Sequence, residues 1–416
     1  MQPAHNRQNM RKRQHWAISV AAVVLAMMAI QMSSLGFSPL LPAIQKDLSA
    51  SYSQMGLFTG MYGIIALLVS LPAGILAARI GEKRALLAGL AVTAIGLVSL
   101  AEAPSFGFAL ASRAVWLIGY RVAFISVFTA MAIVTPARYR SRTMGILGAM
   151  AALASVIGAP FGTRLAELLG WRGGIVGFAA ISLAGGLLFV LLYRAGGSAE
   201  AADAGPHGHP LAAGSASALR NPIIWGMILL GLINMGGFSV TFFVPYAIEN
   251  VFGLNARESA NIISASYMVA ILLNIGFGYL CDRYSRWNMM IVLSILLIPS
   301  SFAVMSHDLL TFRCAVALIV SLGHAATNQL YAIVGALLPK EEVGKGTGMM
   351  GLGSGIFGYV GPQTLGYLRD ATGGFTAGWV FVSFAAILSL ADLLVLRAYS
   401  LRRRPEARGI QTGYSR

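Results

Sequence analysis

Acidic side chains are scarce in this 416-residue chain: 15 aspartates and glutamates stand against 30 lysines and arginines, and only 11% of residues are charged. Soluble domains average about 25% charged residues, so a water-facing surface cannot be assembled from this composition. Cysteine is nearly absent, and the two present, Cys281 and Cys314, are expected near opposite membrane faces, too far apart for a disulfide. No nucleophile elbow, phosphate-binding loop, HExxH helix or paired-cysteine metal motif occurs. Enzymatic chemistry, a cofactor and a metal site are therefore not expected.

Apolar residues fill the gap, at 57% of the chain with a mean hydropathy of +0.72. A bilayer core of ~30 Å takes roughly 20 apolar residues per helix, which leaves room for about twelve crossings with short loops and none for a sizeable soluble domain. Hydrophobic runs fall at 16–41, 53–78, 84–103, 106–136, 143–169, 172–193, 223–248, 258–281, 287–306, 311–338, 346–368 and 378–399. Backbone groups in lipid must be satisfied within their own segment, so these runs predict helices. The first run has no A-x-A-like cleavage site and reads as a retained span.

The net charge of +15 is explained by topology rather than by nucleic acid. With a cytoplasmic N-terminus, most basic residues, from Arg7 and Arg11 to Arg404 and Arg408, fall in inside segments, and only Lys46, Arg164, Arg172, Arg257, Arg313 and Arg369 fall outside. The positive-inside rule then puts both termini in the cytoplasm. Residues 194–221, rich in Ala, Gly, Ser and Pro, read as a flexible linker. The pair His207 and His209 within it lacks further ligands for a metal. The expected organisation is a basic tail (1–15), a six-helix half (16–193), the linker (194–221), a second six-helix half (222–399) and a basic tail (400–416).

The halves repeat at an offset near 200 residues. Leu41-Pro42-Ala43-Ile44 answers Pro245-Tyr246-Ala247-Ile248, Arg113 answers Arg313, and Thr143 with Pro160 answers Thr347 with Pro362. The loop after the second span reads Gly74-Ile-Leu-Ala-Ala-Arg79-Ile-Gly81-Glu-Lys-Arg84, and its second copy begins Gly278-Tyr-Leu-Cys-Asp282-Arg283. With these residues the chain resembles the major facilitator superfamily over essentially its whole length. The resemblance implies an all-α membrane fold of twelve transmembrane helices in two pseudo-symmetric halves, secondary transport of a small solute by alternating access, and a cytoplasmic gate at Gly74, Arg79, Gly81, Arg84, Gly278, Asp282 and Arg283. Ala78 stands where the family has an aspartate, which weakens the first copy of that gate. Arg113-Ala-Val-Trp-Leu-Ile-Gly119 resembles the family's fourth-span signature.

The resemblance also implies that spans 1, 4, 7 and 10 line the cavity. On span 4, Arg113, Leu117, Tyr120, Arg121, Phe124 and Phe128 share an arc of roughly 100°. Arg121 lies ~22 Å from the inner end at ~1.5 Å per residue, close to mid-bilayer, where an unpartnered charge costs at least ~2.5–3.5 kcal/mol. It is expected to face substrate. Arg113 either does the same or locks a conformation through neighbouring helices. On span 10, Arg313, Ser321, His324, Asn328 and Tyr331 take the equivalent face; His324 either carries a coupling proton or packs as a satisfied imidazole. Gln31 and Ser38 on span 1 correspond to Asn234 and Thr241 on span 7, as ligands or as interhelical ties. Asp392 in span 12 is expected to pair with Arg397. No carboxylate falls on the predicted lining, which points to a small organic anion carried by a monomeric protein in the inner membrane, with protons as an available coupling ion. Efflux of a neutral or amphipathic compound is the alternative, and a non-transporting assembly or sensor protein is the reading from another class.

Overall fold

A computed structural model of the chain describes residues 2–136, 139–193, 222–337 and 343–411. The expected linker with His207 and His209 lies outside the described residues, as do the surroundings of Gly278 and the side chains of Asp282, Asn328, Tyr331 and Thr347. Among the described residues all regular structure is helical: α1 (Gln2–Gly36), a short 3-10 turn (Ser38–Leu40), α2 (Leu41–Asp47), α3 (Tyr52–Ile80), α4 (Glu82–Ala101), α5 (Phe106–Val134), α6 (Arg140–Leu192), α7 (Pro222–Leu229), α8 (Leu232–Asn250), α9 (Ala256–Arg283), α10 (Arg286–Ala303), α11 (Leu309–Leu337), α12 (Val343–Thr372) and α13 (Thr376–Gln411).

Nine segments among the described residues are long and apolar enough to cross a bilayer, and α10 supplies a shorter apolar helix. One of the nine, α6, is 53 residues long and breaks at Gly170, whose φ of 73° and ψ of 173° only glycine adopts without strain. The chain folds back there: Phe161 meets Phe178 with ring centroids 5.7 Å apart. Counting α6 twice and adding α10 and α12 is consistent with the twelve crossings expected. Spans 1 and 7 are each broken, by the turn at Ser38–Leu40, which contains Pro39 and precedes Pro42, and between α7 and α8. Helix starts follow capping chemistry. Ser51 forms a capping box with Gln54 ahead of α3, and Ser105 and Asn255 cap α5 and α9.

Twelve crossings put both termini at one end of the bundle; the opposite end is called distal here. The distal end is where the halves meet. Lys46 pairs with Glu249, a residue at an offset of 203, so equivalent positions of the two repeats touch. Arg257 donates two hydrogen bonds to Glu167, at 2.9 and 2.6 Å. In the mirror arrangement, the Asp370 carboxylate at the end of α12 accepts from the backbone N–H groups of Tyr52 and Ser53 at the start of α3, at 3.1 and 2.7 Å. Those N–H groups are unsatisfied within their own helix and carry the positive end of its dipole.

Candidate functional site

Glycines set the position of the arginine-bearing helix. A Cβ placed on Gly96 would lie 2.2 Å from the Trp116 backbone nitrogen, and one on Gly119 would lie 2.3 Å from that of Thr93. Backbones of α4 and α5 therefore touch, as small residues permit in membranes, and the opposite face of α5 turns inward with its arginines.

Along that face exposure changes with depth. Nearest the distal end, Arg113 is 0% exposed. Its guanidinium carbon sits 3.9 Å from the Trp116 ring centroid, 4.2 Å from Phe37 and 5.4 Å from Phe58. None of its three nitrogens has a hydrogen-bond partner among the described residues, so cation–π attraction is what holds it. Phe37 also packs on Phe242 of the second half at 6.0 Å, which ties this cage to the distal closure. Arg113 is thus sealed from the cleft in this conformation, held by rings rather than by hydrogen bonds to carbonyls.

Two turns further along α5, Arg121 is only half-buried. Its guanidinium carbon lies 5.2 Å from the Tyr62 ring, 5.8 Å from Phe124 and 5.9 Å from Tyr120. It takes part in no ion pair among the described residues. Tyr120 donates a hydrogen bond of 2.5 Å to Gln31 Oε1, which brings the span 1 amide to the predicted stripe. Phe124 stacks on Tyr120 at 5.7 Å and Phe128 follows at 5.0 Å.

The facing wall belongs to the second half. Asn234 accepts from Thr327 Oγ1 at 2.5 Å and donates to Ser354 Oγ at 3.0 Å, so it ties α8, α11 and α12 together. His324 is exposed and sits edge-on to Tyr267, with ring centroids 5.2 Å apart. Thr241 is buried beside Tyr267. Ser38 is fully buried in the turn between α1 and α2, with no hydrogen-bond partner for its hydroxyl among the described residues, beside the distal closure. Asn328 and Tyr331 lie on α11 with side chains outside the described set.

Sequence reasoning missed three rings that bridge the walls. Tyr62 on α3 contacts Tyr120 at 5.8 Å and Phe238 on α8 at 5.3 Å, and Tyr267 on α9 closes the other side. An aromatic inside an apolar run carries no signal of direction, so only their spacing relative to other helices reveals them. At the termini end, Gly81 makes the turn from α3 to α4 with φ 84°, Gly74 has open space around it, and Arg79 and Arg84 are exposed. Arg283 is exposed and donates to the Tyr279 hydroxyl at 3.4 Å. Asp392 departs from expectation: it forms no ion pair among the described residues, and its Oδ2 is buried without a hydrogen-bond partner.

The sequence profile of the Major Facilitator Superfamily matches residues 21–331 and 257–413. This chain belongs to the major facilitator superfamily. Its membership agrees with fold similarity: a bacterial homologue of the human lysosomal transporter Spinster, in an inward-facing and occupied conformation, superposes with a TM-score of 0.73 at 15% identity, covering 94% of this chain and 97% of that one. A relative from Agrobacterium vitis named for tartrate transport is 24% identical over 87% of this chain and 85% of its own length. The synaptic vesicular amine transporter of Mus musculus is 25% identical over 88% of this chain and 69% of its own. One relative is named for an anion and the other for amines, so superfamily membership leaves the solute to be argued from the lining.

Proposed function

We propose that this transporter carries a small organic anion by alternating access, with Arg121 as the anion's partner. One observation carries the reading: Arg121 stands mid-helix on the inward face of α5, half-buried and without a carboxylate among the described residues. Holding a bare guanidinium at that depth costs at least ~2.5–3.5 kcal/mol, and a bound anion offsets that cost through bidentate hydrogen bonds. Tyr120, held by Gln31, and Phe124 shape the site beside it. Asn328, Tyr331 and Thr241 contribute from the second half, with Asn234 holding that wall together, and Arg113 with Ser38 acts from the distal seal. His324, exposed and edge-on to Tyr267, takes up a proton for symport.

The asymmetry of lysine and arginine supports an inner-membrane carrier whose termini end faces the cytoplasm. Gly74, Arg79, Gly81, Arg84, Gly278, Asp282 and Arg283 then form a cytoplasmic gate that closes when the distal latches of Glu249, Glu167 and Asp370 release. The test is uptake of labelled carboxylates into proteoliposomes. Arg121→Gln is expected to abolish uptake while its melting temperature stays near that of the parent protein. Unchanged uptake removes Arg121 from the site.

A further inference from the structure

We infer that the carried anion has a single negative charge on a planar aromatic or conjugated body, rather than two charges on a hydroxylated one. This deepens the reading of Arg121 as the anion's partner and rests on it. The first observation is the number of cations within reach. Arg113 and Arg121 are the two guanidiniums of the α5 face, and only Arg121 is open; Arg113 is sealed by Phe37, Phe58 and Trp116. Eight residues separate the two, about 12 Å along the helix, so a small ligand at Arg121 does not span to the other. A second carboxylate at Arg121 would meet no second guanidinium among the described residues, leaving only the imidazole of His324 on the facing wall, and a desolvated unpaired charge is strongly disfavoured.

The second observation is that the two amides of the lining are already engaged. Gln31 Oε1 is taken by Tyr120, and Asn234 by Thr327 and Ser354. Hydroxyls on a ligand would compete with these bonds.

The third is the wall around the guanidinium. Tyr62, Tyr120 and Phe124 ring Arg121 at 5.2 to 5.9 Å. Phe238 continues the surface 5.3 Å beyond Tyr62 onto the second half, and Phe128 continues it 5.0 Å beyond Phe124 toward the termini end. Ring pairs favour tilted and offset stacking at such separations. A carboxylate on the guanidinium fork therefore leaves its own body among ring faces that suit an arene better than a saturated or hydrated group.

Isothermal titration calorimetry on the purified full chain tests this with benzoate, cyclohexanecarboxylate, L-tartrate and benzyl alcohol. Benzoate is expected to bind at least about tenfold more tightly than tartrate or benzyl alcohol and about three- to tenfold more tightly than cyclohexanecarboxylate, one ring pair's contribution. Tyr62→Leu and Phe238→Leu should each erase most of the preference for benzoate over its saturated analogue, whereas Tyr62→Phe should keep it; agreement of the two leucine variants guards against one of them misfolding. Tartrate binding more tightly than benzoate, or the saturated ring binding equally well, overturns the inference while leaving the anion reading intact. Benzyl alcohol matching benzoate, or no carboxylate binding at all, overturns both.

Discussion

The distal closure rests on glycines, which allows a substitution to act on one conformation of the carrier. Where α3 meets α12, a Cβ on Gly63 would lie 2.2 Å from the Gly355 carbonyl oxygen and 2.8 Å from the Tyr359 nitrogen. Gly56 and Gly60 on the same stripe would meet the Pro362 and Tyr359 oxygens at 2.6 and 2.9 Å. These neighbours are backbone atoms of the other half and cannot rotate away. Gly63→Ala therefore strains the distal-closed state and spares a state in which α3 and α12 have parted. Overpacking typically costs ~1–3 kcal/mol, which at ~1.4 kcal/mol per decade shifts the ratio of the two states by about 5- to 150-fold. Spin labels at Glu102→Cys and His307→Cys, in distal loops of opposite halves with both native cysteines replaced by serine, read the ratio as a distance distribution. The long-distance population should grow. Gly36→Ala is the control: its Cβ would lie 2.6 Å from the Gly158 carbonyl carbon within the first half, so it should lower the melting temperature without lengthening distances. A folded Gly63→Ala protein with an unchanged distribution would refute the claim that this glycine stripe makes the closure.

Three further outcomes follow from the same geometry. Asp370→Asn weakens the acceptor for the Tyr52 and Ser53 N–H groups, and the same label pair should show a smaller opening than Gly63→Ala. Asn234→Leu leaves the Thr327 and Ser354 hydroxyls without their shared partner, costing ~1–3 kcal/mol, so thermal unfolding should occur at a lower temperature. Arg113→Met removes a buried charge that has no hydrogen-bond partner among the described residues and keeps a flexible apolar stem in the aromatic cage. Its melting temperature should equal or exceed that of the parent while transport falls, and a lower melting temperature would show that the cage stabilises the cation.

The fold was largely readable in the amino-acid order because lipid imposes simple rules on it. Hydrophobic runs had to be helices, the boundary between the runs at 143–169 and 172–193 falls at the Gly170 break, and matched residues such as Arg113 and Arg313 lie at the repeat offset. That Arg121, Tyr120 and Phe124 recur on one side of α5 was readable from periodicity, and that this side faces the cavity was implied by the resemblance. Relations between helices were not readable. Whether Arg113 meets water or is sealed depends on Phe37 and Phe58 arriving from α3 and the end of span 1, and the placement of Tyr62, Phe238 and Tyr267 depends on helix packing. Asn234 shows the same limit: its position was legible, but its engagement by Thr327 and Ser354 was a matter of three helices. The latches of Asp370 and Glu167 were hidden because charges at helix ends look alike until their partners are known.

The account turns on Arg121 presenting its positive charge to a water-filled cleft. Chemical rescue asks this directly: Arg121→Cys, in a background with Cys281 and Cys314 replaced by serine, is treated in proteoliposomes with methanethiosulfonate reagents carrying either an ammonium or a sulfonate, and anion uptake is measured. The ammonium adduct should restore part of the lost uptake and the sulfonate adduct none. A cysteine that resists both reagents, or equal uptake from the two adducts, would contradict the account.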